Sequence, residues 1–198
     1  MRPISKLLLI LLFFQLILIG NVYALELKEK LEYLIDTRGD DGDLITNRIS
    51  IHKKLEAPDI DISLFNDVQW NFDTSDWEKI LFGVEASKPL GEYFFIGQSL
   101  QSISGQILDY MAFDADSYSF DTTTTIGITL PFLTHYSLRV WEEYSVNLEH
   151  GRDEYTETLA KINYAPKDSY SLGLGWRHTD RIHNLDTDYV SLSIQVDF

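Results

Sequence analysis

The chain has 198 residues, with 16 basic and 31 acidic side chains, a formal charge of −15 and no cysteine. That length suits one domain, and the lack of cysteine excludes disulfide bonds, thiolate metal sites and cysteine nucleophiles. The acidity argues against a general nucleic-acid-binding protein, which needs a basic face for phosphates. Aromatic residues make up 13% of the chain, yet its mean hydropathy is slightly negative. This combination is typical of a chain that alternates apolar and polar residues.

Residues 1–24 have the features of a cleaved secretory signal peptide. Two basic residues, Arg2 and Lys6, precede an apolar stretch that ends before a small-residue cleavage pattern at Ala24. The stretch is shorter than the roughly 20 residues of a membrane-spanning helix, so a permanent anchor is the less favoured alternative. Cleavage would leave 25–198 as the single domain. Loss of Arg2 and Lys6 would change the charge from −15 to −17.

Period-two alternation of apolar and polar residues runs through the rest of the chain and predicts β-strands. The clearest segment is 189–198, where even-numbered residues from Val190 are apolar and odd-numbered residues from Ser191 are polar. Residues 25–35 also fit a helix, but we favour a strand because of the order of the breaks that follow. Other alternating segments are 61–72, 78–86, 121–130 and 169–178.

The breaks between these segments belong to two classes that alternate along the chain. In a meander every second connection lies at the same end, so this order predicts ten strands between a proline rim and an acidic rim. Proline cannot donate to a sheet ladder, and one class contains Pro58, Pro89, Pro131 and Pro166. The other class is acidic and lacks proline; it comprises 39–43, 73–76, 114–117, 149–154 and 179–188.

One segment, 93–113, has no turn signal, and its alternation of apolar and polar residues changes phase near Leu100. A β-bulge would explain the change of phase, whereas a hairpin near 102–105 would change the number of strands. The strand count is therefore eight to ten.

A meander of this length has two edge strands with unpaired backbone groups, and closure of the sheet into a barrel pairs them with each other. We therefore expect an all-β fold, a closed antiparallel up-and-down barrel. The polar faces carry charges of both signs, as expected when polar residues fill the lumen and apolar residues face lipid. These charges could pair across a narrow lumen: Arg48, Asp67, Lys79, Glu85, Asp121, Arg139, Glu143, Glu157, Lys161 and Arg177.

Aromatic residues gather near both ends of the predicted strands, as in the belts at the two membrane interfaces. A soluble periplasmic binding barrel, with its apolar face inward, is the alternative. The proline rim would carry Tyr93, Phe94, Phe132, Tyr136, Tyr164, Tyr170 and Phe198. The acidic rim would carry Trp70, Phe72, Trp77, Phe113, Phe120, Tyr155, Trp176 and Tyr189.

The C-terminal residues resemble the terminal strand of Gram-negative outer-membrane proteins. The resemblance is carried by Tyr189, Leu192, Ile194, Val196 and Phe198. It implies that the barrel-assembly machinery reads this strand and that the protein lies in the outer membrane, beside lipid and lipopolysaccharide. It also implies that the proline rim is periplasmic and the acidic rim external.

Ten strands suggest a porin-like barrel with a plugged or very narrow lumen, because open channels belong to barrels of 16–18 strands. We expect a structural or surface-interaction role without enzymatic activity. No cofactor, metal or nucleic-acid partner is expected, and the oligomeric state is open.

The residues His135 and Ser137 offer an enzymatic alternative. Two residues apart on a strand share a face, so the imidazole could activate the hydroxyl, with Glu143 or Glu149 as its orienting carboxylate. The pair resembles the His-x-Ser motif of outer-membrane lipid A deacylases, although Leu138 replaces the usual Asn. The resemblance implies a lipid A or phospholipid hydrolase. The predicted layout, however, puts His135 at the periplasmic rim, far from an outer-leaflet substrate.

Acidic and histidine pairs in the acidic breaks are weak candidates for metal binding, and we interpret them as solvated groups. The acidic pairs lack the glycine and terminal glutamate of an EF-hand loop, and the histidine pair lacks a third ligand. The loop acids could instead meet lipopolysaccharide phosphates through bridging divalent cations. The pairs are Asp114 and Asp116, Asp186 and Asp188, and His178 and His183.

Overall fold

The computed structural model describes residues 25–39, 42–104, 119–149, 151–181 and 186–198. The predicted signal peptide lies outside the described residues. The strands are β1 (Leu25–Asp36), β2 (Leu44–Leu55), β3 (Ile60–Asn71), β4 (Asp76–Leu90), β5 (Phe94–Ser104), β6 (Ser119–Leu133), β7 (Tyr136–Asn147), β8 (Arg152–Lys167), β9 (Tyr170–Arg181) and β10 (Thr187–Asp197). Within the described ranges, no helix is long and apolar enough to cross a membrane.

Each strand pairs antiparallel with its neighbours in chain order, and β10 pairs with β1, which closes the sheet into a barrel. Closure leaves no strand edge with unpaired backbone groups. The prediction of an up-and-down barrel is confirmed, and the strand count is ten. The strand interpretation of the first segment is confirmed as well, because β1 pairs with both β2 and β10.

The connections alternate between the two rims as predicted, but three prolines lie differently from the prediction. Pro58 lies in the turn after β2, whereas Pro89, Pro131 and Pro166 lie within the final residues of β4, β6 and β8. The strand register shifts beside Pro131 and Pro166. Proline fits a strand end or a bulge because its missing N–H is not needed there.

The predicted bulge in the segment 93–113 is absent from β5. This strand pairs without a register shift with both β4 and β6. The alternation changes phase because β5 has polar residues on its outer face and apolar residues on its inner face. Gln98 and Ser102 lie outside, while Phe95 and Ile103 lie inside. Polar residues therefore occupy outer positions of β5. The remainder of the segment, from 105, lies outside the described residues.

The strands are staggered, as tilt requires in a closed barrel. One continuous row of register partners therefore descends from the acidic rim at β1 to the proline rim at β4. At equal height, residues on neighbouring strands are offset from direct register by roughly one residue per strand. The row is Asp36, Tyr189, Arg177, Leu159, Trp141, Gly127, Phe95 and Pro89.

Large apolar side chains cover the outer face of the barrel. Phe82, Ile126 and Leu174 are 63%, 56% and 54% exposed, and similar residues surround the whole sheet. Soluble monomers rarely expose an apolar surface of this extent, whereas a membrane barrel turns such a surface to lipid. The alternative of a soluble barrel with its apolar face inward is therefore wrong.

Candidate functional site: the charged lumen

The barrel interior holds a cavity of about 480 Å³ whose walls come from all ten strands. Its lining extends from His52 and Asp61 near the proline rim to Asp121 and Thr187 near the acidic rim. All ten predicted lumen charges lie on this lining. The basic lining residues are Lys28, Lys30, Arg48, Lys79, Arg139, Lys161 and Arg177, and the acidic ones are Glu32, Asp61, Asp67, Glu85, Asp121, Glu143 and Glu157. The seven basic side chains balance the seven acidic ones.

Arg48 and Asp67 form an ion pair across the β2–β3 hairpin, where they are direct register partners. The Arg48 Nε and Nη2 atoms donate to Asp67 Oδ2 at 3.0 and 2.6 Å. The Asp67 side chain is only 8% exposed. A carboxylate at that depth needs a charged partner, because desolvation would otherwise cost several kcal/mol.

Glu32 on β1 binds two lysines. Lys161 Nζ, on β8, donates to Glu32 Oε1 at 2.8 Å, and Lys30 Nζ donates to Glu32 Oε2 at 2.8 Å. Since β9 and β10 separate β1 from β8 in the sheet, the Lys161 contact crosses a corner of the lumen. This contact joins two walls of the cavity.

A second acidic centre lies on β7 and β8, where Glu143 and Glu157 are direct register partners. Like charges in that position repel each other, and neighbouring donors offset the repulsion. Arg177 Nε lies 3.3 Å from Glu157 Oε1, to which the Thr179 hydroxyl also donates at 2.8 Å. The Trp141 indole donates to Glu143 at 2.8 Å.

Two arginines lie over aromatic rings that rest on glycines. The Arg48 guanidinium is 4.6 Å from the Phe65 ring centre, and a Cβ on Gly83 would overlap that ring. Arg139 is 4.2 Å from the Phe95 ring centre, and a Cβ on Gly127 would overlap that ring.

These two stacks use cation–π attraction, and in the second the guanidinium is also 5.1 Å from the Trp141 ring. Sequence reasoning missed both stacks. The available signal was a glycine directly opposite a phenylalanine in a predicted strand pair, as in Phe65 with Gly83 and Phe95 with Gly127.

Two apolar clusters lie inside the barrel, toward the acidic rim. One contains Leu34, Leu44 and Tyr189, and the other contains Phe65, Leu81 and Ile103. Apolar side chains therefore occupy part of the lumen toward the acidic rim, which the assignment of apolar residues to lipid did not predict.

The aromatic belt predicted at the acidic rim needs a correction for two residues. Tyr155 and Tyr189 line the cavity and do not face lipid. Tyr189 also lies on the opposite face from Leu192 and Ile194, which are exposed on the outside of β10. Trp70 and Phe72 lie on the outer face near that rim, while Phe113 lies outside the described residues.

The structure separates Glu149 from the proposed hydrolase pair His135 and Ser137. His135 lies in the turn between β6 and β7, at the proline rim, where its ring meets Tyr164 edge-on. Glu149 follows β7 at the acidic rim, so the 12-residue strand separates it from Ser137 by on the order of 40 Å. Glu143 lies in the lumen beside Trp141. Glu149 therefore cannot orient His135.

The acidic rim carries its own hydrogen bonds, separate from the lumen. Asp188 binds Arg38 and lies 2.9 Å from His178 Nδ1, and Asp43 accepts the Tyr33 hydroxyl at 2.6 Å. No group of three His, Asp or Glu side chains among the described residues is placed to hold a metal ion. The candidates Asp114, Asp116 and His183 lie outside the described residues.

No protein-family model matches the sequence, and no curated protein matches it. Solved structures with a similar fold include the KdgM porin, at 11% identity over 87% of this chain and 99% of that chain with a TM-score of 0.48. The NanC porin has 10% identity, the same coverages and a TM-score of 0.49. Neisserial surface protein A has 14% identity over 88% and 96% of the two chains and a TM-score of 0.32. Likeness at this level defines no family for the chain.

The class of the protein follows from its own strand pairing and faces. A closed meander with an even number of strands, apolar outside and charged inside, is the architecture of transmembrane barrels of the outer-membrane type. This chain is an integral membrane barrel of that type.

Proposed function

We propose that this barrel is a non-enzymatic outer-membrane protein whose lumen is a narrow, water-filled path for small ions, with a preference for cations. The observation that carries the proposal is the cavity whose charged lining extends from one rim to the other. Ten strands lie near the filled end of the range of barrel sizes. Paired side chains such as Glu32 and Lys161 narrow the path further, so large solutes are excluded.

The preference for cations follows from where the acidic excess lies. The lining itself is balanced, whereas the acidic rim carries exposed carboxylates such as Asp73, Asp153 and Asp180. A mouth of one sign raises the local concentration of ions of the opposite sign. This enrichment weakens at high salt, where the Debye length falls to about 3 Å at 1 M.

The remaining parts of the proposal concern orientation and surroundings. The proline rim would be periplasmic, and the external acidic rim would lie beside the lipopolysaccharide phosphates. The final strand, with Leu192, Ile194 and Val196 on one face and Phe198 at its end, would be read by the barrel-assembly machinery.

The test is electrical recording from the refolded protein in planar bilayers. We expect small, discrete conductance steps and a reversal potential that favours cations at about 0.1 M salt but less so at 1 M. Asp73→Asn with Asp180→Asn should reduce the preference for cations at low salt. A bilayer that stays silent with correctly folded protein would overturn the proposal.

A substitution inside the lumen distinguishes the effect of the lumen charges on conduction from the effect of the rim charges. Glu32→Gln leaves Lys30 and Lys161 without their shared carboxylate, so the path becomes more basic and the reversal potential should move toward anions. The matched control is Glu92→Gln in the exposed turn after β4, which should leave the conductance unchanged. Equal behaviour of the two variants would mean that ions do not pass through the lumen.

A further inference from the structure

A polar patch interrupts the lipid-facing surface on three neighbouring strands. It consists of Gln98 on β5, Thr122 and Thr124 on β6, and Glu142 on β7. Gln98, Thr124 and Glu142 are exposed, and none of the four lines the lumen. Gln98, Thr124 and Glu142 each lie at least four residues from both ends of their strands, so these three residues lie within the apolar band and not at an interface.

Glu142 is the residue that makes this patch costly in lipid. Its register partners are Ile126 and Thr158, and its side chain forms no hydrogen bond or ion pair with the described residues. Elsewhere on the outer face, Glu29 accepts a hydrogen bond from the Asn47 amide at 2.8 Å. Ionisable groups at membrane depth are expensive and usually face protein or water. The Glu142 carboxylate therefore calls for a donor from outside this barrel.

Gln98 supplies the type of donor that Glu142 lacks. Its amide nitrogen donates to Thr122, and its amide oxygen accepts from Thr124 Oγ1 at 2.8 Å. A primary amide has two N–H groups, so one remains after the Thr122 contact. The other two polar neighbours hold the amide in a fixed orientation on the surface of the barrel.

The two groups lie at similar heights on either side of β6. Gln98 pairs with Thr124, and Thr124 pairs with Tyr144. The row of register partners descends from β7 to β5, so the position on β7 level with Gln98 lies roughly two to three residues below Tyr144. That position is occupied by Glu142. Thr124 lies between the two at nearly the same height.

We propose that the outer polar patch joins two copies of this chain within the membrane, around a twofold axis along the membrane normal near Thr124. Rotation about such an axis keeps each residue at the same depth in the membrane. It brings the β5 side of the patch on one copy opposite the β7 side of the patch on the other. It places Gln98 of each copy against Glu142 of the other, so that two amide-to-carboxyl hydrogen bonds form. A twofold interface requires a self-complementary surface, and a donor and an acceptor at equal heights flanking a strand meet that requirement. The short threonines on β6 let the two walls approach closely.

Cross-linking through a single cysteine tests the axis, since the chain has no native cysteine. Thr124→Cys lies at the axis, and Ile194→Cys on the outer face of β10 is the matched control. In native membranes under mild oxidation, we expect a disulfide-linked dimer of twice the chain mass for Thr124→Cys, at least roughly tenfold more than for the control. Equal yields would overturn the proposal, as would a cross-link from Thr124→Cys to a different protein.

Substitutions at Glu142 test the contact without relying on the cysteine variant. Glu142→Leu removes both hydrogen bonds of the dimer and should therefore weaken dimer formation in detergent by roughly a hundredfold, at about tenfold for each bond lost. Glu142→Gln keeps an acceptor and should retain most of the dimer. Monomeric native protein by sedimentation, or equal dimer with Leu and with Gln at this position, would contradict the proposal.

Discussion

The lumen wall and the acidic rim carry charge in different ways. The wall has seven basic and seven acidic side chains, and several of them bind one another directly. The described part of the rim is rich in acids, including Asp36, Asp43, Asp73 and Asp186, with few basic partners such as Arg38. Enclosed charges must be balanced by neighbours because desolvation is costly, whereas water screens the surplus at the rim. The same residue types therefore stabilise the fold through ion pairs in the lumen and set the net charge of the surface at the rim.

Removal of one enclosed partner should show the difference most strongly. Arg48→Met leaves Asp67 without its ion pair, and we expect the free energy of unfolding to fall by about 3 kcal/mol. The double variant Arg48→Met with Asp67→Leu removes both charges and should recover most of that loss. Urea unfolding of the protein in lipid vesicles measures both values. A double variant as unstable as the single one would show that the pair is not the source of the effect.

Packing on the lumen wall should matter somewhat less than the ion pair. In Gly127→Ala the new Cβ would lie 2.5 Å from the Phe95 ring and 2.6 Å from Trp141 Cβ, so we expect a loss of about 2 kcal/mol. Gly97→Ala is the control on the same wall, because its nearest neighbour would be Thr125 Cβ at 3.5 Å. Similar unfolding midpoints for the two variants would argue against the stack of Arg139 on Phe95.

An ion pair at a rim should contribute least. Lys54 and Asp59, at the proline rim, are 3.2 Å apart, with side chains 69% and 48% exposed. Lys54→Ala should change the free energy of unfolding by at most about 0.5 kcal/mol, as measured by the same urea titration. A loss comparable to that of Arg48→Met would remove the distinction between enclosed and rim charges.

Much of the architecture could be predicted because it depends on local sequence. Alternation assigns the face of each residue within a strand, and the order of proline and acidic breaks assigns the two ends. Even the partnership of Arg48 with Asp67 follows once the β2–β3 turn is located, since hairpin register is set by the turn.

The inner contacts that could not be predicted depend on closure or on irregular register. The contact of Glu32 with Lys161 joins β1 to β8, and no local pattern brings those strands together. Tyr155 lies beside a register shift opposite Ser145 and Val146, and such a shift breaks simple alternation. The apolar clusters around Leu34 and Leu81 pack inside the curved barrel. The pattern within a single strand does not predict these contacts, because they join several strands.

The seam between β1 and β10 joins the two strands that lie farthest apart in the chain. The other nine pairings link consecutive strands, so each can form as soon as its hairpin is present, whereas the seam must wait for the final strand. Until then the curled sheet has two open edges with unpaired backbone groups, which other chains can extend. Completion of β10 therefore ends the period in which this protein is vulnerable to aggregation. After the backbone N–H of Phe198 has donated its hydrogen bond to the carbonyl of Leu27, no strand edge of the barrel remains for another chain to pair with.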